Sequence, residues 1–276
     1  MSCFLLSSRS IVIAFSGMGT LFTGNRSLSK KIVGSIYFFV FKSILRFIRY
    51  KIIVQNNDDK DFLKNNLKIN SSNIFLIKGS GVHLNKYSCN IDKKKNMIIL
   101  PARMIREKGI IEFVDASRYL KAKFNDWRFV LIGAADYDNP SAIKKEEIIT
   151  WVQEGFIEWT GYLNNLESYY KDSLIVCLPS YREGMPKCLL EAAAASCAVV
   201  TTDVIGCRDS IIPKVTGELV KAMNTHDLKK VLEKLINDTG TIKKYGLNGL
   251  TLAKKQYNID NIVIQTFEVY KSIIKS

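Results

Sequence analysis

Residues 180–191 read Ser-Tyr-Arg-Glu-Gly-Met-Pro-Lys-Cys-Leu-Leu-Glu. The run before them, LIVCLP (174–179), is short and apolar, as a buried strand should be. The run after the proline, CLLEAAAAS, is apolar and helix-forming. The loop between carries Glu183, Gly184 and Pro186. Strand, loop and helix in this order place the loop at the carboxyl edge of a sheet, where open α/β sheets bind ligands. Glu183 lies in the loop and Glu191 more than one turn into the helix, so both carboxylates can face that edge. Pro186 suits the first helical position, which needs no N–H. The N–H groups of Lys187, Cys188 and Leu189 are then free to meet phosphate or a sugar oxygen. Two carboxylates beside an anion site suit a ligand with both hydroxyls and phosphates, and a nucleotide sugar is such a ligand.

The same alternation extends on both sides. Strands are expected at 96–101, 127–133, 156–160, 198–202 and 217–220, and helices at 109–124, 141–154, 166–170, 186–196, 226–236 and 241–256. Apolar strands alternating with helices predict a doubly wound parallel sheet over residues 89–258. Residues 1–88 hold less: a helix from Ser27 to Tyr50, strand 51–55, helix 58–67 and strand 74–78 make a partial α/β unit. Residues 85–95 are polar and basic and serve as the linker candidate, and 259–276 form a last helix of mixed face.

Three further loops belong to the same edge. PARMIREKG (101–109) sets Arg103 and Lys108 after a strand, two cations able to neutralise a diphosphate. IKGSGVHL (77–84) contains the turn Gly79-Ser80-Gly81, which lets backbone pass close to a ligand, or is a plain turn between domains. TTDVIGCRDS (201–210) brings Asp203, Gly206 and Asp209, the last favoured as a cap. No G-x-x-x-x-G-K-[ST] loop occurs, which argues against a nucleoside triphosphatase. No Asp-x-Asp pair offers a divalent metal site for a sugar nucleotide and no His/Cys cluster has zinc spacing, so no metal is expected.

The 276 residues carry 47% hydrophobic side chains, enough for packed cores, and a net charge of +14. That charge suits phosphorylated ligands, anionic membranes or nucleic acid, or is a lysine-rich solubilising surface. No nucleic-acid recognition module accompanies it. Six cysteines without a C-x-x-C pair fit a reduced, cytoplasmic protein. The N-terminal stretch has Arg9 within its apolar run and no clear cleavage site, so it is no convincing signal peptide. In IYFFVFKSILRFIRYKIIV (36–54) the charges prevent an uninterrupted apolar span. Lys42, Arg46 and Arg49 share one helical face there, which reads as a basic amphipathic helix at a membrane surface or as a core helix with one solvated stripe.

GSGV, RMIREKG, the SYREGMPKCLLEAAAA loop and helix, and VVTTDVIGCRD together resemble family 4 of the retaining GT-B glycosyltransferases. The resemblance runs over about residues 15–270 and is most specific from 97 to 220. It is nearest to bacterial enzymes that add galactose-type or N-acetylgalactosamine-type sugars to lipid-linked glycans of surface polysaccharide, O-antigen or glycoprotein pathways. It implies two Rossmann-like domains: residues 1–88 on the acceptor side, incomplete, residues 89–258 for the nucleotide sugar, and 259–276 returning to the first. Arg103 and Lys108 would bind the donor diphosphate. Glu183 would contact the transferred sugar as the catalytic residue, with Gly184 and Met185 nearby, and Glu191 would hold the ribose. Gly79, Ser80 and Gly81 would line the cleft. No metal or other cofactor is implied. The implied partners are a UDP-linked sugar and a polyprenyl-diphosphate-linked acceptor at the inner face of the cytoplasmic membrane, without nucleic acid. His83 departs from a common aspartate, Ser196 from a glycine and Ala198 from a proline. About a hundred residues usual before Ile11 are missing by this comparison, so the chain is expected to be truncated. The rival readings are a remnant that binds nucleotide sugar without transferring it, and a basic membrane or scaffold module.

Overall fold

The computed structural model describes residues 10–17, 28–136 and 138–274. Cys3, Arg9 and Ser27 lie outside the described residues. The chain forms two compact units, one of Met1–Gly79 with Asp260–Ser276, the other of Ser80–Ile259.

In the first unit, β1 (Ser10–Phe15), β2 (Arg49–Val54) and β3 (Ile74–Leu76) make a parallel sheet in the order β1-β2-β3. Helices α1 (Leu28–Leu45) and α2 (Asn57–Asn65) make the crossovers. The β-branched Ile52 and Val54 suit a central strand and pack with Leu63, Leu67 and Ile74. Ile53, on the opposite face, packs with Ile77 and with Ile262 and Val269 of the last helix, Ile259–Ile274. Asn56 caps α2 by accepting from the Asp59 N–H at 2.8 Å.

The basic helical face expected at residues 42, 46 and 49 does not form. Helix α1 stops at Leu45, a tight turn follows in which the Phe47 N–H donates to Ile44 at 3.0 Å, and Arg49 opens β2 opposite Ser10. Burying Ile52–Val54 between two strands draws the whole RYKIIV run into the sheet. Among its described residues α1 exposes Lys42 together with the apolar Val33, Ile36, Phe39 and Val40.

The second unit is a six-stranded parallel sheet. It comprises β4 (Lys95–Pro101), β5 (Arg128–Ile132), β6 (Glu158–Trp159), β7 (Ser173–Leu178), β8 (Ala198–Thr202) and β9 (Gly217–Val220), in the order β6-β5-β4-β7-β8-β9. Helices α3 (Ile110–Lys123), α4 (Lys145–Gln153), α5 (Glu167–Asp172) and α6 (Lys187–Ala194) join the strands from β4 to β8, and α7 (Thr225–Ile236) and α8 (Thr239–Gln256) follow β9. All six residues of β7 are buried, as expected of a strand covered on both faces. The chain winds outward from β4 to β6, then returns to β7 on the other side of β4. The carboxyl ends of β4 and β7 thus flank the switch point, where such sheets leave a crevice.

Residues 80–88 belong to this unit and not to the first, and 85–95 are no linker. The Val82 N–H donates to Tyr257 at 2.7 Å and the Ile259 N–H to Val82 at 3.1 Å. The Lys94 ammonium donates to the carbonyls of Tyr170 and Ser173, each at 2.8 Å. The helix expected from Ser141 begins only at Lys145. Residues 141–143 instead clip to the loop after β4, with the Arg106 N–H on Ser141 at 3.0 Å and the Ile143 N–H on Met104 at 2.9 Å.

Cys177, Cys197 and Cys207 are buried and free, and burial pushes each thiol above its ordinary value, Cys207 up to about 12. At pH 8 all three are protonated, and the thiolate is the reactive form. Ellman's reagent is expected to spare these three in the native protein and to titrate them in guanidinium. Their reaction in the folded state at pH 8 would contradict this packing.

Candidate functional site

Two loops meet at the switch point, one after β4 and one after β7. The first ends in a 3-10 turn, Arg106–Lys108, closed by Gly109 in the left-handed region at φ 72°. A Cβ on Gly109 would stand 2.2 Å from the Pro179 carbonyl oxygen, so only glycine lets this turn rest against the end of β7. Two bonds fasten the contact: the Tyr181 N–H donates to Glu107 at 2.8 Å, and the Ser180 hydroxyl is 3.0 Å from the same carbonyl.

Lys108 is thereby delivered to Glu183. The ammonium is ion-paired with Glu183 Oε1, and the side chains are only 20% and 13% exposed. The Ser180 hydroxyl stands 2.7 Å from that same oxygen. A hydroxyl has one proton, and the charged acceptor at the shorter distance takes it. On the far side the Glu183 N–H donates to Ile205 at 3.2 Å. A Cβ on Gly206 would lie 2.5 Å from the Glu183 carbonyl oxygen and 2.4 Å from that of Gly184. The Glu183 loop is therefore held between two backbones that approach it without side chains.

Pro186 is not the first helical residue. It is the N-cap, at φ −69° and ψ 117°, and α6 starts at Lys187. The Leu189 N–H is not available to a ligand either, because it donates to the Pro186 carbonyl at 3.0 Å. This follows from proline's fixed φ combined with an extended ψ, which turns its carbonyl into the first helical turn. Met185 is buried.

Glu191 is 13% exposed, and its helix partner Lys187 is 3.6 Å away. It lines a pocket of about 200 Å³ with Gly81, His83, Lys86, Tyr87 and Lys187. Gly81 has φ 79°, and a Cβ there would meet the Ile259 backbone at 2.8 Å. Ser80 and Gly81 fall in this unit, whereas Gly79 is the last residue of the other before the break.

Arg103 and Lys108 leave the same loop for different surroundings. Arg103 is 62% exposed and its guanidinium donates to Asp136 at 2.7 Å. Asp136, in the loop after β5, was not anticipated, nor were Ser180, Tyr87 and Tyr170 as neighbours of the two carboxylates. Ser180 had a visible signal, a hydroxyl residue between the strand and Glu183. Tyr181 is also fixed here, its phenol donating to Glu112 at 2.7 Å, and burial together with that carboxylate raises its pKa. Among the described residues no group of three or more His, Cys, Asp or Glu side chains could hold a metal ion.

Comparison with known proteins bears on this arrangement. The family described as Glycosyl transferases group 1 matches residues 84–250. The N,N'-diacetylbacillosaminyl-diphospho-undecaprenol alpha-1,3-N-acetylgalactosaminyltransferase of Campylobacter jejuni is 30% identical over 91% of this chain and 66% of its own length. The capsular polysaccharide biosynthesis glycosyltransferase CapM of Staphylococcus aureus is 24% identical over 63% of this chain and 45% of its own. The chain therefore spans between about half and two thirds of these relatives. Among solved structures, sucrose-phosphate synthase of Thermosynechococcus elongatus matches with TM-score 0.77 at 21% identity, over 96% of this chain and 68% of that one. HepE of Anabaena, in complex with UDP and glucose, matches with TM-score 0.77 at 16% identity, over 95% and 71%. The expected α/β architecture of GT-B type is thus borne out, and the chain belongs to the glycosyl transferases group 1 family.

Proposed function

We propose that this chain carries the donor site of a retaining glycosyltransferase. The enzyme moves a galactose-type or N-acetylgalactosamine-type hexose from UDP to a sugar hydroxyl on a polyprenyl-diphosphate-linked acceptor. The observation that supports this most is the half-buried Lys108–Glu183 pair, joined by Ser180, at the switch point of the sheet. An ammonium there can accept the donor's diphosphate while the adjacent carboxylate accepts hydrogen bonds from the sugar. Arg103, on the exposed side of the loop, adds charge toward the same phosphates. Gly184 and Met185 bring backbone alongside the sugar. Glu191, nearly buried in its pocket, receives the ribose hydroxyls.

In the reaction the acceptor oxygen bonds to the anomeric carbon as the bond from that carbon to the phosphate oxygen breaks. Both events occur on one face, so configuration is retained. The acceptor proton passes to the departing phosphate, whose charge Lys108 offsets. The substrate class is the one named for the Campylobacter jejuni relative. A polyprenyl acceptor would bring the protein to the inner face of the cytoplasmic membrane. We read that contact as peripheral, and no described helix is long and apolar enough to cross a membrane.

The donor assignment is tested by calorimetry with UDP. Glu191→Ala is expected to weaken binding by about 1.5–3 kcal/mol, the worth of hydrogen bonds to a charged group. Undiminished affinity in a folded variant would remove Glu191 from the nucleotide site.

A further inference from the structure

Glu191 has only a weak partner on its own helix. The Lys187 ammonium is 3.6 Å away and its side chain is 63% exposed, so water and salt screen the pair. Two phenols lie closer to the buried side. Tyr87 ends the 3-10 turn Leu84–Tyr87 and lines the same pocket as Glu191. Tyr170, near the end of α5, is fully buried. The two rings meet edge to face, with centroids 5.6 Å apart at 78°.

Burial raises the pKa of both phenols, and the charge of Glu191 adds to this. Each therefore stays protonated, and a donor, at any physiological pH. The Tyr170 hydroxyl has no partner at full hydrogen-bond distance. A buried hydroxyl left so is disfavoured, and the carboxylate beside it is an acceptor that can close on it.

We propose that Tyr87 and Tyr170 are positioning residues for Glu191. Two phenols from separate elements meet one carboxylate, fix its rotamer from behind, and leave its outward lone pairs for the vicinal hydroxyls of the donor's ribose. An ionised carboxylate has about four acceptor sites, enough for two phenols and a diol. The proposal rests on the assignment of Glu191 to the nucleoside. It goes further in locating ribose discrimination in residues that touch no ligand.

The test compares the unaltered chain, as wild type, with Tyr87→Phe, Tyr170→Phe and Glu191→Gln by calorimetry with UDP, 2′-deoxy-UDP and pyrophosphate. Wild type is expected to prefer UDP over the deoxy form by on the order of tenfold, the value of one charged hydrogen bond. Both phenylalanine variants keep the ring packing and are expected to lose most of that preference, with pyrophosphate affinity unchanged. A role in packing alone would lower all three ligands together or none. If both variants keep the preference while Glu191→Gln loses it, the positioning role is overturned and the Glu191 assignment stands. If wild type shows no preference, or Glu191→Gln retains it, both fall. Loss in one variant only confines the role to that phenol. Thermal melts check folding, and Tyr87→Phe, at the pocket wall, decides the matter should Tyr170→Phe not fold.

Discussion

Glu183→Gln is expected to lower the rate of sugar transfer by about 10²–10³-fold, typical of removing one preorganised polar group from a reacting centre. The same change is expected to strengthen UDP binding several-fold. The opposite signs follow from the resting site. Lys108 and Glu183 are paired and largely out of water, so a diphosphate must draw the ammonium from a carboxylate that holds it. Neutralising Glu183 removes that competitor and leaves Lys108 a half-buried charge without a countercharge, which an anion relieves. Calorimetry with UDP and transfer assays with a radiolabelled UDP-sugar read the two effects separately. Parallel losses of turnover and UDP affinity would mean that Glu183 holds the nucleotide and not the sugar.

Gly109→Ala is expected to destabilise the protein by about 2–5 kcal/mol. Roughly 1–2 kcal/mol is the left-handed backbone, and the rest is overlap of the new methyl with packed neighbours. The methyl would sit 2.2 Å from the Pro179 carbonyl oxygen. The loop can escape only by moving Glu107 and Lys108 away from Ser180 and Tyr181, so UDP affinity should fall along with stability. Gly155→Ala separates the two contributions. Gly155 also has positive φ, at 80°, but a Cβ there meets nothing within 4 Å. Denaturant unfolding of both variants measures the difference, and equal losses would show that backbone conformation alone accounts for the Gly109 effect.

Much of the site was legible because its parts are contiguous in the chain. The run from LIVCLP through Glu191 encodes a strand, a loop and a helix within 18 residues, and local rules govern each. The loop after β4 was legible for the same reason. What stayed hidden depends on contacts between distant segments. Nothing near Ser141 says that it will pair with Arg106 instead of starting a helix. Arg49 looks helical beside Lys42 and Arg46 until β2 finds Ser10 as its partner. Tyr87 read as part of a polar linker, because the ring it packs on, Tyr170, is 83 residues later (170 − 87). The local rule for proline puts Pro186 one position too far into its helix, a shift of the size common at helix termini.

The division of the first unit into two separated pieces bears on how the protein is made. Ile53 and Ile77 share a cluster with Ile262 and Val269, yet the whole of the other unit, residues 80–259, lies between them in the chain. On the ribosome the later unit has all its residues before the earlier one does. Domains generally fold as units, the amino-terminal one first; here that order cannot hold to completion. The β1–β3 sheet emerges early and waits, with Ile53 and Ile77 uncovered, through the synthesis of a complete α/β unit. Nascent chains halted before Asp260 should therefore be the ones that engage chaperones.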